Sequence, residues 1–298
     1  MDGLESEALR KKKKNRHSVV GTSTTEKVGI AEFAGKSSKN SSRAPLARLL
    51  PTVITIFAFC FGMTSIRLAM AHKWEYAVLC IFMSALLDSF DGRVARMLGH
   101  ASQFGAELDS LSDLVCFGVA PSLMLFLYIK SAPNPYMENA SWGICMFFTV
   151  CCALRLARFN AIQILNEPKP EWQKKYFTGV PAPAGAIVAL FPFILFFSTN
   201  KVCFMNCKFI FFCLIASGVL MISTVKSFSS KMIELKNGIA FPELLIISLV
   251  VICLIIELWL TLTMLVIAYV AAIPYGIYQY ARTEKEMKAH GDANQQVH

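Results

Sequence analysis

Long apolar stretches separated by short polar segments run through most of this chain. A helix that crosses a bilayer needs about 20 mostly apolar residues. Eight stretches meet this requirement approximately, at residues 50–71, 75–97, 106–130, 142–160, 181–199, 204–225, 242–258 and 260–280. Only a weak break at residues 257–259 separates the last two, so the pattern alone allows seven or eight spans. It predicts an all-α fold, a polytopic integral membrane helical bundle with about eight transmembrane helices.

The distribution of basic residues favours eight spans and orients them. Cytoplasmic loops of membrane proteins carry an excess of lysine and arginine. With the N-terminus in the cytoplasm, most of the loop cations become cytoplasmic, and those left outside are Lys73, Lys130, Lys201 and Lys208. An even number of spans then returns the C-terminus to the same side. We therefore expect both termini to be cytoplasmic.

The two ends of the chain lack the apolar pattern. Residues 1–48 contain eleven of the 29 lysines and arginines, in runs such as RKKKKNRH. We predict a disordered basic cytoplasmic tail over residues 1–48, a transmembrane domain over 49–281 and a polar cytoplasmic tail over 282–298. The basic tail could attract anionic lipid headgroups, at about 1 kcal/mol per basic residue near the surface, or serve only as a solvated topology determinant.

Composition excludes several classes of protein. A hydrophobic content of 55% with mean hydropathy +0.51 is too apolar for an ordinary soluble domain. The net charge of +9 is compatible with nucleic-acid binding, but no such motif is present and no nucleic-acid partner is expected. Most of the ten cysteines lie in apolar stretches as small hydrophobes. Cys203 and Cys207 share a short loop and could be bonded if it faces an oxidising compartment.

Four aspartates lie in the second and third predicted spans, where carboxylates are costly. A carboxylate at bilayer depth costs at least about 2.5–3.5 kcal/mol. Asp88 and Asp91 are three residues apart and Asp109 and Asp113 are four apart, so each pair shares one helix face. If the two helices pack together, four negative charges converge and need a compensating cation. Hard divalent ions such as Mg²⁺ take oxygen ligands of this kind.

The aspartates belong to a longer pattern with fixed spacing, which reads Asp88-x2-Asp91-Gly92-x2-Ala95-Arg96-x8-Gly105-x3-Asp109-x3-Asp113. This pattern resembles the signature of the CDP-alcohol phosphatidyltransferase family at all eight fixed positions. The resemblance implies an integral membrane enzyme that moves a phosphatidyl group from a CDP-linked lipid to a small alcohol and releases CMP.

The resemblance also implies roles for single residues. The carboxylates would hold Mg²⁺ or Mn²⁺, as two ions, through Asp88, Asp91, Asp109 and Asp113. As the last of the series, Asp113 would also be the catalytic base that accepts the proton of the acceptor hydroxyl. The residues expected to contact CDP-diacylglycerol are Thr55, Gly92, Arg96, Ser102 and Gly105. For the two glycines, helix packing through small residues is a second interpretation; for Arg96, positive-inside anchoring is another.

Two further stretches bear on the acceptor alcohol. Residues 155–160 (RLARFN) and 177–184 (FTGVPAPA) resemble stretches of family members that use L-serine, and residues 223–228 (STVKSF) are a weaker match. Serine carries a carboxylate, which Arg155 or Arg158 could bind, although either arginine could instead be a positive-inside anchor. One departure concerns the first span: Thr52 and Ala58 stand where relatives often have asparagine, while Thr55 is retained.

These observations leave three functions open. The first is phosphatidyl transfer to L-serine. The second is the same chemistry with inositol, inositol phosphate or glycerol phosphate, which the basic residues Lys226 and Lys231 keep open. The third is a cation transporter built on the four aspartates. It is disfavoured because transporter sites tend to lie near the midplane, whereas the predicted topology places these aspartates toward the cytoplasmic face.

The expected partners follow from the same resemblance. They are CDP-diacylglycerol, L-serine and the surrounding membrane lipids, together with a second copy of the chain in a homodimer. We expect the protein to reside in a bacterial inner membrane rather than in the endoplasmic reticulum.

Overall fold

The structure, a computed structural model, describes residues 45–98, 103–131, 135–165, 176–223, 226–228 and 241–295. The predicted basic tail thus lies almost wholly outside the described residues, as does the end of the predicted C-terminal tail. The chain from Leu46 onward forms one compact unit.

Helices make up nearly all of the described chain. In order they are α1 (Pro45–Met70), α2 (Trp74–Leu98), α3 (Gln103–Asp113), a π-helix (Leu114–Val119), α4 (Ala120–Lys130), α5 (Pro135–Leu165), α6 (Ala182–Ala189), α7 (Phe191–Thr199), a 3₁₀ turn (Val202–Met205), α8 (Cys207–Ile222), α9 (Phe241–Ile256) and α10 (Leu258–Gln295). The prediction of an all-α bundle is confirmed, and all eight predicted apolar stretches are helical. The weak break at residues 257–259 is real, because α9 ends just before it and α10 begins within it.

Four helical stretches are long and apolar enough to cross a membrane: Leu50–Met70, Gln103–Lys130, Met137–Ile162 and Leu258–Tyr280. A fifth is obtained if α6 and α7, which are bent by 50° at their junction, form one broken span. Elsewhere in the described chain, α2 is long but carries several charged residues, and α8 and α9 have 16 residues each. The protein is therefore a polytopic membrane protein, and the number eight stays a prediction. The predicted domain limit at residue 281 falls inside α10 and also stays a prediction.

Aromatic contacts join three helices at the end of the bundle away from the aspartates, which we call the distal end. Trp74 at the start of α2 stacks on Phe193 of α7, with ring centroids 5.7 Å apart. The ring of Phe197 lies 4.6 Å from that of Trp259 on α10, and Trp259 Nε1 donates to Glu75 Oε1 at 2.9 Å. Amphipathic aromatic rings of this kind are enriched at membrane–water interfaces. They attach α10 to the rest of the bundle.

Close backbone packing joins α1, α2 and the π-helix in the middle of the bundle. A Cβ added to Gly62 would lie 3.1 Å from the Cα of Cys116 and closer still to its Sγ. Small residues allow membrane helices to approach in this way. The Ala58 carbonyl accepts hydrogen bonds from Ser84 Oγ at 3.0 Å and from Cys116 Sγ at 3.5 Å. The buried Ala58 thus contributes a backbone acceptor to this junction.

All ten cysteines lie in described segments and are free thiols. Cys203 and Cys207, whose pairing the sequence left open, are therefore not bonded to each other. Cys116, Cys145 and Cys152 are buried, in agreement with their interpretation as small hydrophobes.

A short antiparallel ribbon is an addition that the sequence did not predict. Strand β1 (Tyr176–Thr178) pairs with β2 (Lys226–Phe228), with Phe177 opposite Ser227. Three residues are too few for an alternating pattern to be detected. The ribbon matters because it joins the stretch at residues 177–184 to the one at 223–228, both of which were singled out for acceptor recognition. Helix α10 packs against β2.

Candidate active site

The carboxylates of three predicted metal ligands meet between α2 and α3. Oxygens of Asp88, Asp91 and Asp109 all lie within 4.8 Å of one another. Asp91 is buried, with 5% of its surface exposed, and the other two are half-buried. The helical spacing in the sequence made each pair share a face; the tertiary arrangement of α2 and α3 brings carboxylates of the two pairs together.

Asp113, the last residue of α3, lies beside the same cluster. Its carboxyl group is within hydrogen-bonding reach of the Asp88 carboxyl group. The π-helix begins at the next residue. A π-helical turn widens the helix, and such turns are frequent at functional sites. Here it directly follows Asp113, and its residues Cys116, Phe117 and Gly118 are buried in the core.

Helix α1 holds one of the carboxylates in place. Thr55 Oγ1 lies 2.8 Å from Asp91 Oδ2, to which it donates, and 3.1 Å from the Pro51 carbonyl oxygen. The Gly92 backbone N–H also donates to the Asp91 carboxylate. Thr55 was expected to contact the lipid donor. In the structure its hydroxyl orients Asp91, a role that spacing within α1 alone could not have indicated.

The surface next to Asp91 is open at Gly92. A Cβ added there would meet no described atom within 4 Å. No described helix therefore packs closely on Gly92, and the space beside it is compatible with the predicted approach of a ligand, which stays a prediction. Gly105 lies near the start of α3. Ser102 and the side chain of Arg96 lie outside the part of the chain that the structure describes, so their predicted contacts stay predictions.

Arg155 on α5 is the cation that acts on the cluster. Its guanidinium group interacts electrostatically with the carboxylates of Asp88 and Asp113 but forms no ion pair within 4.0 Å of them. Its Nε atom is buried and has no hydrogen-bond partner among the described residues. A buried donor without a partner costs about 1–3 kcal/mol, so this arginine is suited to binding a ligand that carries an acceptor.

The guanidinium group of Arg158, one turn later on α5, is hydrogen-bonded to the end of α8. Its Nη1 donates to the Ile222 carbonyl at 2.8 Å and its Nη2 to the Ser223 carbonyl at 3.4 Å. These carbonyls are left unsatisfied at a helix C-terminus, where a cation is favourable. Gly179, with a positive φ of 80°, packs against the same Ser223 carbonyl. The two arginines that the sequence could not distinguish therefore have different surroundings.

A second link between α3 and α5 was missed by the sequence analysis. Asn160 Nδ2 donates to Ser110 Oγ at 2.9 Å. Ser110 follows Asp109 directly, and Asn160 closes the stretch that begins at Arg155. The only available signal was a polar residue at the end of that stretch. The contact fixes the helix that carries Arg155 relative to the helix that carries Asp109 and Asp113.

The donor set of the cluster fits a hard divalent ion. Two unit charges 4.8 Å apart repel by roughly 3.5 kcal/mol at an effective dielectric constant of 20, so three ionised carboxylates this close need a cation. Oxygen ligands lie about 2.0–2.1 Å from Mg²⁺ and thus at most about 4.2 Å from each other. Separations up to 4.8 Å then require only small side-chain rotations. The acidic cluster is compatible with Mg²⁺ or Mn²⁺, as the family expectation requires.

This chain is similar in sequence to known proteins. CDP-diacylglycerol–serine O-phosphatidyltransferase of Mycobacterium leprae is 30% identical over 262 residues, which are 88% of this chain and 85% of the relative. The protein of the same name from Helicobacter pylori strain 26695 is 32% identical over 205 residues, 68% of this chain and 81% of the relative. That of Methanocaldococcus jannaschii is 43% identical over 108 residues, 36% of this chain and 45% of the relative. The CDP-alcohol phosphatidyltransferase family matches residues 48–225, and since this segment is more than half of the chain and contains all four aspartates, the protein belongs to that family.

Proposed function

We propose that this enzyme transfers the phosphatidyl group of CDP-diacylglycerol to the hydroxyl of L-serine, giving phosphatidylserine and CMP. The observation that carries the proposal is the convergence of four carboxylates on α2 and α3, in the field of Arg155, a half-buried arginine whose buried Nε has no partner among the described residues. The names of the relatives support serine as the acceptor.

The four carboxylates have two different roles in the proposed reaction. Asp88, Asp91 and Asp109 would hold two Mg²⁺ or Mn²⁺ ions, which when bound neutralise the charge on the transferred phosphoryl group. Asp113 accepts the proton of the serine hydroxyl as it attacks the phosphorus that bears the diacylglycerol. Gly92 leaves room for the nucleotide beside Asp91, and Thr55 keeps that carboxylate oriented.

The two arginines also have separate roles in this proposal. Arg155 binds the carboxylate of serine, because its guanidinium group interacts electrostatically with Asp113 and its buried Nε has no partner among the described residues. An arginine can hold a carboxylate through two parallel hydrogen bonds. Arg158 does not contact the substrate; it fixes the end of α5 against the end of α8.

Replacing Arg155 with Gln should raise the KM for serine by about thirtyfold or more, because losing the partner of a buried charge costs at least about 2 kcal/mol. The affinity for CDP-diacylglycerol should not change. Ethanolamine lacks the carboxylate, so the preference for serine over ethanolamine should fall as well. Initial rates with both alcohols measure these effects.

Arg158→Gln is the matched control for this prediction. It should lower the thermal unfolding temperature, because helix-end carbonyls lose their donor, while the KM for serine remains close to that of the native enzyme. If Arg155→Gln keeps the native KM and Arg158→Gln raises it, the roles of the two arginines are reversed.

One assay tests the activity itself. Purified enzyme is incubated with CDP-diacylglycerol, Mg²⁺ or Mn²⁺ and a single alcohol, namely serine, inositol, inositol phosphate or glycerol phosphate, and the release of CMP is measured. We expect CMP release with serine and not with the other three alcohols. Release with a phosphorylated alcohol in its place would contradict the proposal. The side chains of Lys226 and Lys231, which made a phosphorylated acceptor conceivable, lie outside the described part of the structure. Membership of the family disfavours the third function, a cation transporter.

Further proposals concern the setting of the enzyme. The excess of basic residues at one set of loops supports cytoplasmic termini and a site at the cytoplasmic face, where a water-soluble alcohol and a membrane-embedded lipid can both reach the carboxylates. Lys73 and Lys130 lie at the opposite, distal end. A homodimer and a bacterial inner membrane complete the proposal, the latter supported by the bacterial relatives.

A further inference from the structure

An apolar cavity lies between α2, α6 and α10. Its volume is about 230 Å³. Apart from the Tyr269 hydroxyl, the side chains that line it are hydrocarbon: Phe82, Ala184, Ile187, Val188, Leu262, Leu265, Val266 and Tyr269. A buried water needs two to four polar partners, which this lining does not offer, so the cavity is suited to an apolar occupant.

The cavity lies on the distal side of the polar site. Phe82 precedes Asp88 by six residues on α2, which is about 9 Å along the helix axis, on the side toward the distal end. Tyr269 interacts electrostatically with Arg155, and Arg155 interacts in the same way with Asp113. The cavity therefore lies on the distal side of the carboxylate cluster, with Phe82 and Tyr269 as the lining residues related to it.

The cavity also reaches the outer surface of the bundle. Leu265 lines it and is nevertheless 42% exposed. The adjacent face of α10 carries the exposed apolar side chains Met264 and Ile267. In a membrane protein, an apolar face of this kind contacts acyl chains, so a chain can enter the cavity from the side without crossing water.

We propose that this cavity holds part of one acyl chain of the phosphatidyl donor, an inference that rests on the proposed function. The phosphates of a diacyl lipid must reach the carboxylates, and its tails must then leave the site toward the bilayer interior. The cavity lies on that side and has the required chemistry. Half of the lining residues belong to α10, which lies beyond the family-matched residues 48–225. Helix α10 thus contributes to acyl-chain selection in this enzyme.

Filling the cavity tests the proposal. Val266→Phe should lower kcat/KM for a donor with two oleoyl chains by about tenfold, which is the scale on which an apolar pocket discriminates substrates by size. The same variant should leave kcat/KM for a donor with two hexanoyl chains, and the KM for serine, unchanged. Ala184→Leu fills the same space from α6 and should act alike if either variant folds poorly. Met264→Phe, on the lipid-facing side of α10, is the control and should change neither donor. Equal effects on both chain lengths, or none in folded variants, would overturn the assignment.

A second measurement does not depend on turnover. A CDP-diacylglycerol analogue with a photoreactive diazirine in one acyl chain is irradiated with the native enzyme in vesicles, and the adducts are mapped by mass spectrometry. Adducts at Leu262, Val266 or Tyr269 support the site, whereas adducts confined to Met264 and Ile267 overturn it. If no alcohol supports CMP release but these adducts form, the proposed function fails and the acyl-chain site stands.

Discussion

Asp91→Asn is expected to abolish phosphatidyl transfer, and Asp88→Asn and Asp109→Asn should do the same. The three carboxylates lie within 4.8 Å of one another. A neutral amide at any of these positions removes a negative charge and an oxygen ligand from the proposed site for two metal ions. Bound metal contributes several kcal/mol to phosphoryl transfer, so activity should fall by about a thousandfold or more. A chelator in excess should inactivate the native enzyme, and added Mg²⁺ or Mn²⁺ should restore it.

The metal itself can be followed without turnover. Binding of Mn²⁺ by electron paramagnetic resonance should show two ions on the native enzyme and weakened binding in each variant. Glu107→Gln on α3 is the matched control, since Glu107 is an exposed acid outside the cluster, and it should leave binding and activity intact. Full activity in metal-free buffer, or native Mn²⁺ binding by all three aspartate variants, would refute the metal assignment.

Asp113→Asn should lower kcat without weakening the binding of CDP-diacylglycerol. The substitution keeps the shape of the side chain and removes its ability to accept a proton. General base catalysis contributes about a hundredfold or more, so kcat should fall by at least that factor. The affinity for CDP-diacylglycerol should stay near the native value, because the other three aspartates still hold the metal. Rapid-quench measurement of CMP release and equilibrium binding of the lipid donor check the two halves of this prediction.

The competing role for Asp113 is that of a metal ligand, and the structure places it within reach of Asp88. In that case, a higher metal concentration should restore much of the activity of Asp113→Asn. Such rescue would reject the base assignment. Tight donor binding without turnover at every metal concentration would support it.

Several features of the site were within reach of sequence reasoning. The i,i+3 and i,i+4 spacings placed each aspartate pair on one helix face, and their occurrence in apolar stretches indicated a function. What spacing could not supply was the partner of each side chain. Arg155 and Arg158 are chemically identical and one turn apart, yet one faces carboxylates and the other the carbonyls at the end of α8. That difference arises from how α5 packs against α3 and α8.

The sequence by itself determined that this protein is a helical membrane protein, which family it belongs to and which four carboxylates are central, because hydropathy, helical periodicity and fixed motif spacing are local properties of the chain. Only the tertiary structure decided that Thr55 orients Asp91, that a π-helix follows Asp113, that a short ribbon joins the two acceptor stretches and that α10 closes an apolar cavity next to the site. Each of these depends on contacts between segments far apart in the chain, and such contacts are set by the packing of whole helices, which local pattern does not encode.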